Sequence, residues 1–406
     1  MEKTDKSHLG RMLGVILFSR INIVSAFRTT YPFLPVISRG LGVSFQTGSL
    51  LVTVRSLAGL FGLVAGPVGD RIGYRWTMVV GLILFGFGVA LVGWLPVFWI
   101  AVVAFTLIGM AKATYDPAMR AYLSTHVPYN RRGRAIGGAE LSWSGGWFVG
   151  APVCGYLIGR FGWQSPWLVM AALVIPSVGA TFFLPSSSEA ATKAGQRVVS
   201  NPFVSFLRTP RVLPALLMSL VICFASEHFF VVYGAWMEHV FGLGPTALGT
   251  VSIVVGISEL TGELGVVVFT DSFGKERSVT FGILLTVLFF VVVPLLEFHL
   301  RFTVVGLGLL FVSFEFLIVS NTVWLSELVP DRRSTMMASL FATSEVGRAI
   351  GAFVGPRLWG ATESLLVQGI VSAMGMIVAL LIGKFMVFEE ALPSSARCSG
   401  SEGGDR

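Results

Sequence analysis

The strongest constraint in this sequence is the length of its apolar runs. Stretches of about 20 residues recur along nearly the whole chain, and that is the length at which a helix crosses a bilayer core roughly 30 Å thick. Only 13% of residues are charged, against 54% hydrophobic. Soluble domains carry roughly 25% charge, so this chain has too little to wet the surface of a globule its size. The pattern predicts an all-α integral membrane protein.

Twelve spans can be marked: 12–37, 45–68, 77–95, 97–120, 135–159, 163–184, 212–238, 246–270, 278–298, 301–325, 335–359 and 362–387. One long polar break, 185–211, divides them six and six. The expected organisation is an N-terminal segment 1–11, a six-helix half 12–184, a central loop 185–211, a second half 212–388 and a disordered tail 389–406. Within the break, NPFVSFLR suits either a short surface helix or an ordinary linker. The N-terminus leads straight into a long span, with no pattern of a removable signal peptide.

Net charge is +7, and where the cations lie matters more than the total. With the N-terminus placed in the cytoplasm, inner segments hold 19 Lys and Arg and outer segments four, with six inside spans. The positive-inside rule then puts both termini in the cytoplasm. Location in the inner membrane of a prokaryote is the expectation, with membrane lipids as surroundings. The charge gives no reason to expect nucleic acid. Cys154, Cys223 and Cys398 are scattered, so neither a disulfide framework nor a metal site is expected. Neither Gly274-Lys275 nor Gly383-Lys384 sits in a GxxxxGK[ST] loop, so nucleotide is not the expected energy source.

The halves repeat. GPVGDRIGYR at 66–75 returns in degenerate form as FTDSFGKER at 269–277, with Asp70 and Gly73 matching Asp271 and Gly274 at a shift of 201. Val127-Pro128 matches Val329-Pro330, and Pro152 matches Pro356. Internal repeats of this kind place a transporter's substrate site at the repeat interface near the midplane. In the first motif Gly66, Gly69 and Gly73 permit close backbone approach and a tight turn. Arg71 and Arg75 obey the positive-inside rule. That rule alone does not require Asp70, which can accept from the free N–H groups at a helix start.

GPVGDRIGYR resembles the loop 2–3 signature of the major facilitator superfamily, and FTDSFGKER falls where that family keeps its second copy. The resemblance covers roughly residues 10–390 and is nearest to bacterial proton-coupled drug and sugar exporters. It implies the twelve-helix major facilitator fold in two pseudo-symmetric halves. It also implies that Asp70 latches onto span 11, with Gly66, Asp70, Arg71, Gly73, Arg75, Asp271 and Gly274 as gating residues. Arg75 is expected to pair with Asp116. The family's usual base after Gly73 is Tyr74 here, and its span 4 arginine is replaced by Phe105. GGWFVGAPVCG at 145–155 resembles the antiporter signature, with Gly150, Pro152 and Gly155 kinking and packing span 5. Gly355 and Pro356 play the same part in span 11. Close packing alone also accounts for these residues.

Charges inside spans are costly and are functional candidates by default. Here they are lopsided: the first half is rich in cations and the second in carboxylates. In the family, spans 1, 4, 7 and 10 line the cavity, which nominates Arg20, Arg28, Tyr31, Lys112, Asp116, Glu227, His228 and Glu315. Spans 2, 5, 8 and 11 form the seam. They nominate Arg55, Glu140, Glu259, Glu263, Glu345 and Arg348 for proton coupling or pairing between halves. Lys112 and Asp116 are spaced to pair on one helix face. Glu259 and Glu263 share a face and cannot easily both ionise in a dry setting, so one is expected to hold a proton. For any single glutamate, permanent pairing with an arginine is the competing reading. Phe224, Phe229 and Phe230 suit the lining of an apolar pocket, though in a chain with 33 Phe lipid-facing positions are the better expectation.

The expected function is secondary transport of a small organic solute by alternating access, driven by the proton gradient without a bound cofactor. The expected cargo is an amphiphilic or sugar-like compound, leaving the cell. Uptake by symport, facilitated diffusion and lipid movement are the alternatives. No nucleophile–base or metal-ligand cluster suggests an enzyme, and the protein is expected to act as a monomer.

Overall fold

Apolar residues place these helices in lipid, where every backbone polar group must find a partner inside its own element, so each run closes as a helix. The structure, a computed structural model, describes residues 2–185 and 206–388. Most of the central loop, most of NPFVSFLR and the 389–406 tail lie outside the described residues. Among those described, each expected span is helical. Spans 1, 3, 4 and 6 are Glu2–Gly40, Tyr74–Trp94, Phe98–His126 and Ser165–Phe182. Spans 8 to 11 are Pro245–Phe273, Lys275–Leu295, Leu300–Leu328 and Arg333–Thr362.

The other four are composite. Span 2 runs Phe45–Gly48, Leu50–Ala58, a 3-10 turn at Gly59–Phe61, and Gly62–Ile72. Span 5 runs Tyr129–Gly145, a π segment Gly146–Gly150, and Ala151–Phe161. Pro152 has no N–H to give the Phe148 carbonyl, and the backbone widens just there. Span 7 breaks at Val231-Val232 between Val212–Phe230 and Tyr233–Phe241. Span 12 is Leu365–Ile382 closed by a π turn, Gly383–Val387. Pro356 leaves span 11 helical throughout.

Ten of these runs are apolar enough by composition to cross a membrane; spans 5 and 11 fall short. They are equivalents in the two halves. Their polar residues, Glu140, Ser142 and Ser144 in one and Ser344, Glu345 and Arg348 in the other, face protein rather than lipid.

The repeat is visible in the backbone. Gly73 and Gly274 have φ of 91° and 90° with ψ of 142° and 140°, so the Asp-x-x-Gly step makes the same one-residue turn twice. A side chain is strained at that φ, which is why the motif ends in glycine.

Contacts between halves lie mostly toward one side, named here after Arg39. There span 5 packs on span 8, and the Leu50–Ala58 helix packs on span 11. A Cβ added at Gly155 would stand 2.5 Å from the Pro245 carbonyl oxygen. At Gly234 it would stand 2.5 Å from the Pro32 carbonyl oxygen. Toward the opposite, Asp70 side, Gly62–Ile72 packs mainly on spans 3 and 4 of its own half.

Candidate functional site

Between the halves lies a cavity of about 540 Å³ that extends from the middle of the bundle toward the Asp70 side. Its walls carry six cations: Arg20, Arg28, Arg55, Lys112, Arg120 and Arg348. They also carry seven carboxylates: Asp116, Glu140, Glu227, Glu259, Glu263, Glu315 and Glu345. Every Arg, Lys, Asp and Glu nominated for the cavity or seam is therefore present.

In the first half the charges close on themselves. Arg20 is fully buried and donates through Nε to Asp116 Oδ1 at 3.0 Å and through Nη2 to Glu140 Oε2 at 2.7 Å. Its Nη1 reaches the Ala139 carbonyl at 2.9 Å and Ser142 Oγ at 3.1 Å. Lys112 Nζ holds the other oxygen of Asp116 at 2.9 Å, as the i, i+4 spacing predicts, and Arg120 Nε holds Glu140 Oε1 at 2.9 Å. A guanidinium with several fixed donors suits such a hub, where a single ammonium would leave acceptors unmet.

Other contacts join the halves. Arg28 pairs with Glu259 while its guanidinium stacks over Trp143 and Trp147, 4.0 and 4.8 Å from the ring centres. Tyr31 donates to Glu227 Oε2 at 3.2 Å and accepts from Arg55 Nη2 at 3.3 Å, giving a chain Arg55–Tyr31–Glu227. Arg55 lies 4.4 Å over the Phe27 ring and donates to the Phe27 carbonyl. At the Arg39 rim, Arg39 pairs with Glu238 at 2.7 Å. Aromatic rings fill the adjoining wall: Phe230 stacks on Phe311 at 4.5 Å and meets Phe314 edge-on at 5.0 Å.

The model of the Major Facilitator Superfamily matches residues 16–352. The chain belongs to the major facilitator superfamily. Among its relatives, the multi-drug resistance efflux pump PmrA homolog of Lactococcus lactis is 22% identical, covering 97% of this chain and 98% of that one. Multidrug resistance protein 2 of Bacillus subtilis is 22% identical over 94% and 96%. The xylose transporter XylE from Escherichia coli, solved in an inward open conformation, superposes with a TM-score of 0.74 at 15% identity, covering 95% of this chain and 97% of that one. The protein is thus a multi-pass membrane protein of a transporter family with the major facilitator fold.

Against that family's pattern several expectations change. Asp70 is exposed and accepts from the Tyr74 hydroxyl at 3.1 Å, one turn away on its own side of the loop. Arg75 does not reach Asp116: it donates to the Leu184 carbonyl at 2.9 Å, because Asp116 faces inward to Arg20 and Lys112. Arg71 is exposed, and the side chain of Asp271 lies outside the described residues. Phe105 packs against Trp167 in the core of the first half, with ring centres 5.4 Å apart. In the second copy of the motif, Lys275 pairs with Glu327.

Glu140 pairs within its own half, and Glu345 pairs with Arg348 on one helix at 3.5 Å, so neither joins the halves directly. His228 is fully buried beside span 11, and it does not line the cavity. A Cβ at Gly355 would stand 2.3 Å from the His228 carbonyl oxygen, which shows how tightly spans 7 and 11 press there. Gly150 meets Ser25 of span 1 in the same way. Phe229 and Phe230 are buried rather than lipid-facing: Phe229 packs against Phe290 inside the second half, and Phe230 lines the cavity.

Sequence reasoning missed most of the aromatic lining: Trp143, Trp147, Phe311 and Phe314. Trp143 and Trp147 are one helical turn apart, and so are Phe311 and Glu315. Those spacings were available as a signal, but in a chain with 33 Phe and 10 Trp they do not stand out. A second hollow of about 820 Å³, bounded by Leu9, Phe18, His126 and Phe183, lies on the edge of the first half, away from the interface.

Proposed function

We propose that the protein exports a small organic solute across the inner membrane in exchange for protons, by alternating access about the cavity between its halves. One observation carries this reading. The contacts that join the halves at mid-depth, Arg28 with Glu259 and Tyr31 with Glu227, are themselves cavity-lining charged or polar groups. A ligand or proton arriving in the cavity therefore acts on the same bonds that hold the halves together. A proton placed on Glu259 or Glu227 weakens them without any long-range relay.

The cation bias makes the Asp70 side cytoplasmic, so the geometry corresponds to a cavity facing inward. Closing that side brings Asp70 toward the start of span 11, which begins at Arg333 without a side-chain cap. Its free N–H groups and positive dipole end suit a carboxylate. Multidrug efflux pumps among the relatives favour export over uptake. The likeness in fold to a xylose transporter does not bear on direction. No enzymatic step is needed for this work.

The test is uptake of fluorescent or radiolabelled solutes into proteoliposomes holding the purified protein, with a pH gradient imposed in either direction. Accumulation that follows the gradient, reverses with it and collapses with a protonophore is the expected result. Flux that ignores the gradient would leave only facilitated diffusion.

A further inference from the structure

We propose that the hollow on the edge of the first half binds one anionic phospholipid from the leaflet on the Asp70 side. The phosphate sits at its rim and the upper acyl chains lie along its apolar wall. The lipid is a bound partner rather than cargo, so the site does not rest on the transport reading above.

The hollow, about 820 Å³, is larger than the cavity between the halves and of ordinary size for a ligand site. One half supplies all of it: Leu9 to Phe18 of span 1, His126 ending span 4, Arg131 in the first turn of span 5, and Ala180 to Pro185 at and just past the end of span 6. Arg75, five residues after Asp70, donates to the Leu184 carbonyl at 2.9 Å, which puts the hollow on the Asp70 side. Arg11, His126 and Arg131 line it, and no carboxylate does so among the described residues, whereas the cavity between the halves carries seven. The charge therefore suits an anion. Arg11, Gly14, Val15 and Phe18 share one face of span 1 by their helical spacing. Arg11 and Phe18 are two turns apart, so the basic rim gives way to an apolar wall within about 10 Å. Phe18 is 43% exposed and Phe183 90%, so that wall opens to the membrane rather than into protein. Free phosphate would meet the rim and leave the wall uncovered; an anionic phospholipid covers both.

The repeat supplies a second observation. Spans 4 and 10 are 29 residues each, and Trp324 holds in span 10 the place of Tyr122 in span 4. In the second half the chain leaving span 12 fills this corner itself. Phe388 meets Trp324 edge-on at 5.3 Å, and a Cβ added at Gly383 would stand 2.7 Å from the Phe388 ring. In the first half the corresponding chain is held at the rim instead, where the Tyr122 hydroxyl donates to the Pro185 carbonyl at 3.0 Å. His126 stacks on Tyr122 at 4.0 Å, with Nδ1 3.0 Å from the Tyr122 carbonyl oxygen, so this wall is fixed. A Cβ added at Gly14 would meet nothing within 4 Å. Glycine inside a helix costs stability relative to alanine, and here no described protein atom needs the space it leaves.

The probes are palmitoyl-oleoyl phosphatidylglycerol, phosphatidylcholine with the same chains, and inorganic phosphate, each added to the detergent-solubilised full-length protein. Native mass spectrometry should show one phosphatidylglycerol retained per protein, and that lipid should raise the unfolding temperature. Phosphatidylcholine should bind at least about fivefold more weakly, and phosphate alone should have no effect. Arg11→Gln should weaken phosphatidylglycerol about fivefold and leave phosphatidylcholine unchanged. Gly14→Leu, which fills the hollow, should keep the lipid-free unfolding temperature and lose the bound lipid. The site is overturned if the wild type retains no phosphatidylglycerol, if phosphatidylcholine binds as well, or if both variants retain the lipid as the wild type does. Phosphate that reproduces the thermal shift would leave an anion site only and overturn the lipid. None of these readouts uses transport, so the exchange reading can fail while the site stands, and the reverse.

Discussion

Arg20 and Arg28 are both intramembrane arginines on span 1, and their surroundings give them different work. Arg20 satisfies two carboxylates, a carbonyl and a hydroxyl within one half, so nothing in a rocking motion of the halves needs to break it. Arg28 reaches across to Glu259 while indole rings hold its guanidinium, so it can let go of the carboxylate without losing all support. Removing one member of a buried charge network leaves its partners unpaired, at a cost of about 3–5 kcal/mol. Arg28→Met, which leaves buried Glu259 with no ion partner, should therefore lower the unfolding temperature of the purified protein markedly, and Arg20→Met less, because Lys112 still holds Asp116 and Arg120 still holds Glu140. Equal losses in a thermal unfolding assay would remove this division of labour. The sequence marked every one of these charges because charge in an apolar run is conspicuous. It could not tell which were hubs and which were bridges, since partners such as Arg20 and Glu140 lie 120 positions apart.

At the scale of elements, the helices were legible because lipid leaves the backbone one local solution, and the apolar runs fix their positions. Spans 5 and 11 were legible too, although their polar faces make them weak membrane segments taken alone. The break in span 7 was not foreseen. It follows no proline but coincides with the crossing of Gly234 over Pro32 of the other half, a tertiary contact with no local signature. Within 66–75 the tight turn is made by Gly73 alone, in one backbone geometry shared with Gly274, while Gly66 and Gly69 lie inside the helix Gly62–Ile72 and nothing approaches Gly66 closely. The partner of Asp70 differs from expectation because Tyr74, standing where the family usually has a base, offers a hydroxyl one turn away. A carboxylate at a helix start is worth roughly 0.3–2 kcal/mol, enough to shift a two-state gate severalfold. Asp70→Asn should therefore cut transport several-fold while leaving thermal stability and substrate binding near wild type. Undiminished transport in that variant would show that Asp70 does not close the inner gate.

For the whole molecule, the repeat in the sequence and the cavity in the structure say the same thing at two levels. Two similar halves meet at a seam, and the lopsided charge seen along the chain becomes two facing walls, one richer in cations and one in carboxylates. What the sequence withheld was the state of the seam, because a chain built to adopt two arrangements carries the contacts of both. Here the Arg39 side is closed by Arg39–Glu238 and by the crossings at Gly155 and Gly234, and the cavity reaches toward the Asp70 side. Alternation about this cavity is the central claim, and distance measurement by electron paramagnetic resonance tests it most directly. Spin labels at Ile72 and Phe273 report the Asp70 side, and labels at Trp94 and Phe298 report the Arg39 side; all four positions are exposed. On changing pH and adding a transported solute, the first distance should shorten as the second lengthens. If both pairs keep one distance under all conditions, or move together in the same direction, alternating access about this cavity is contradicted.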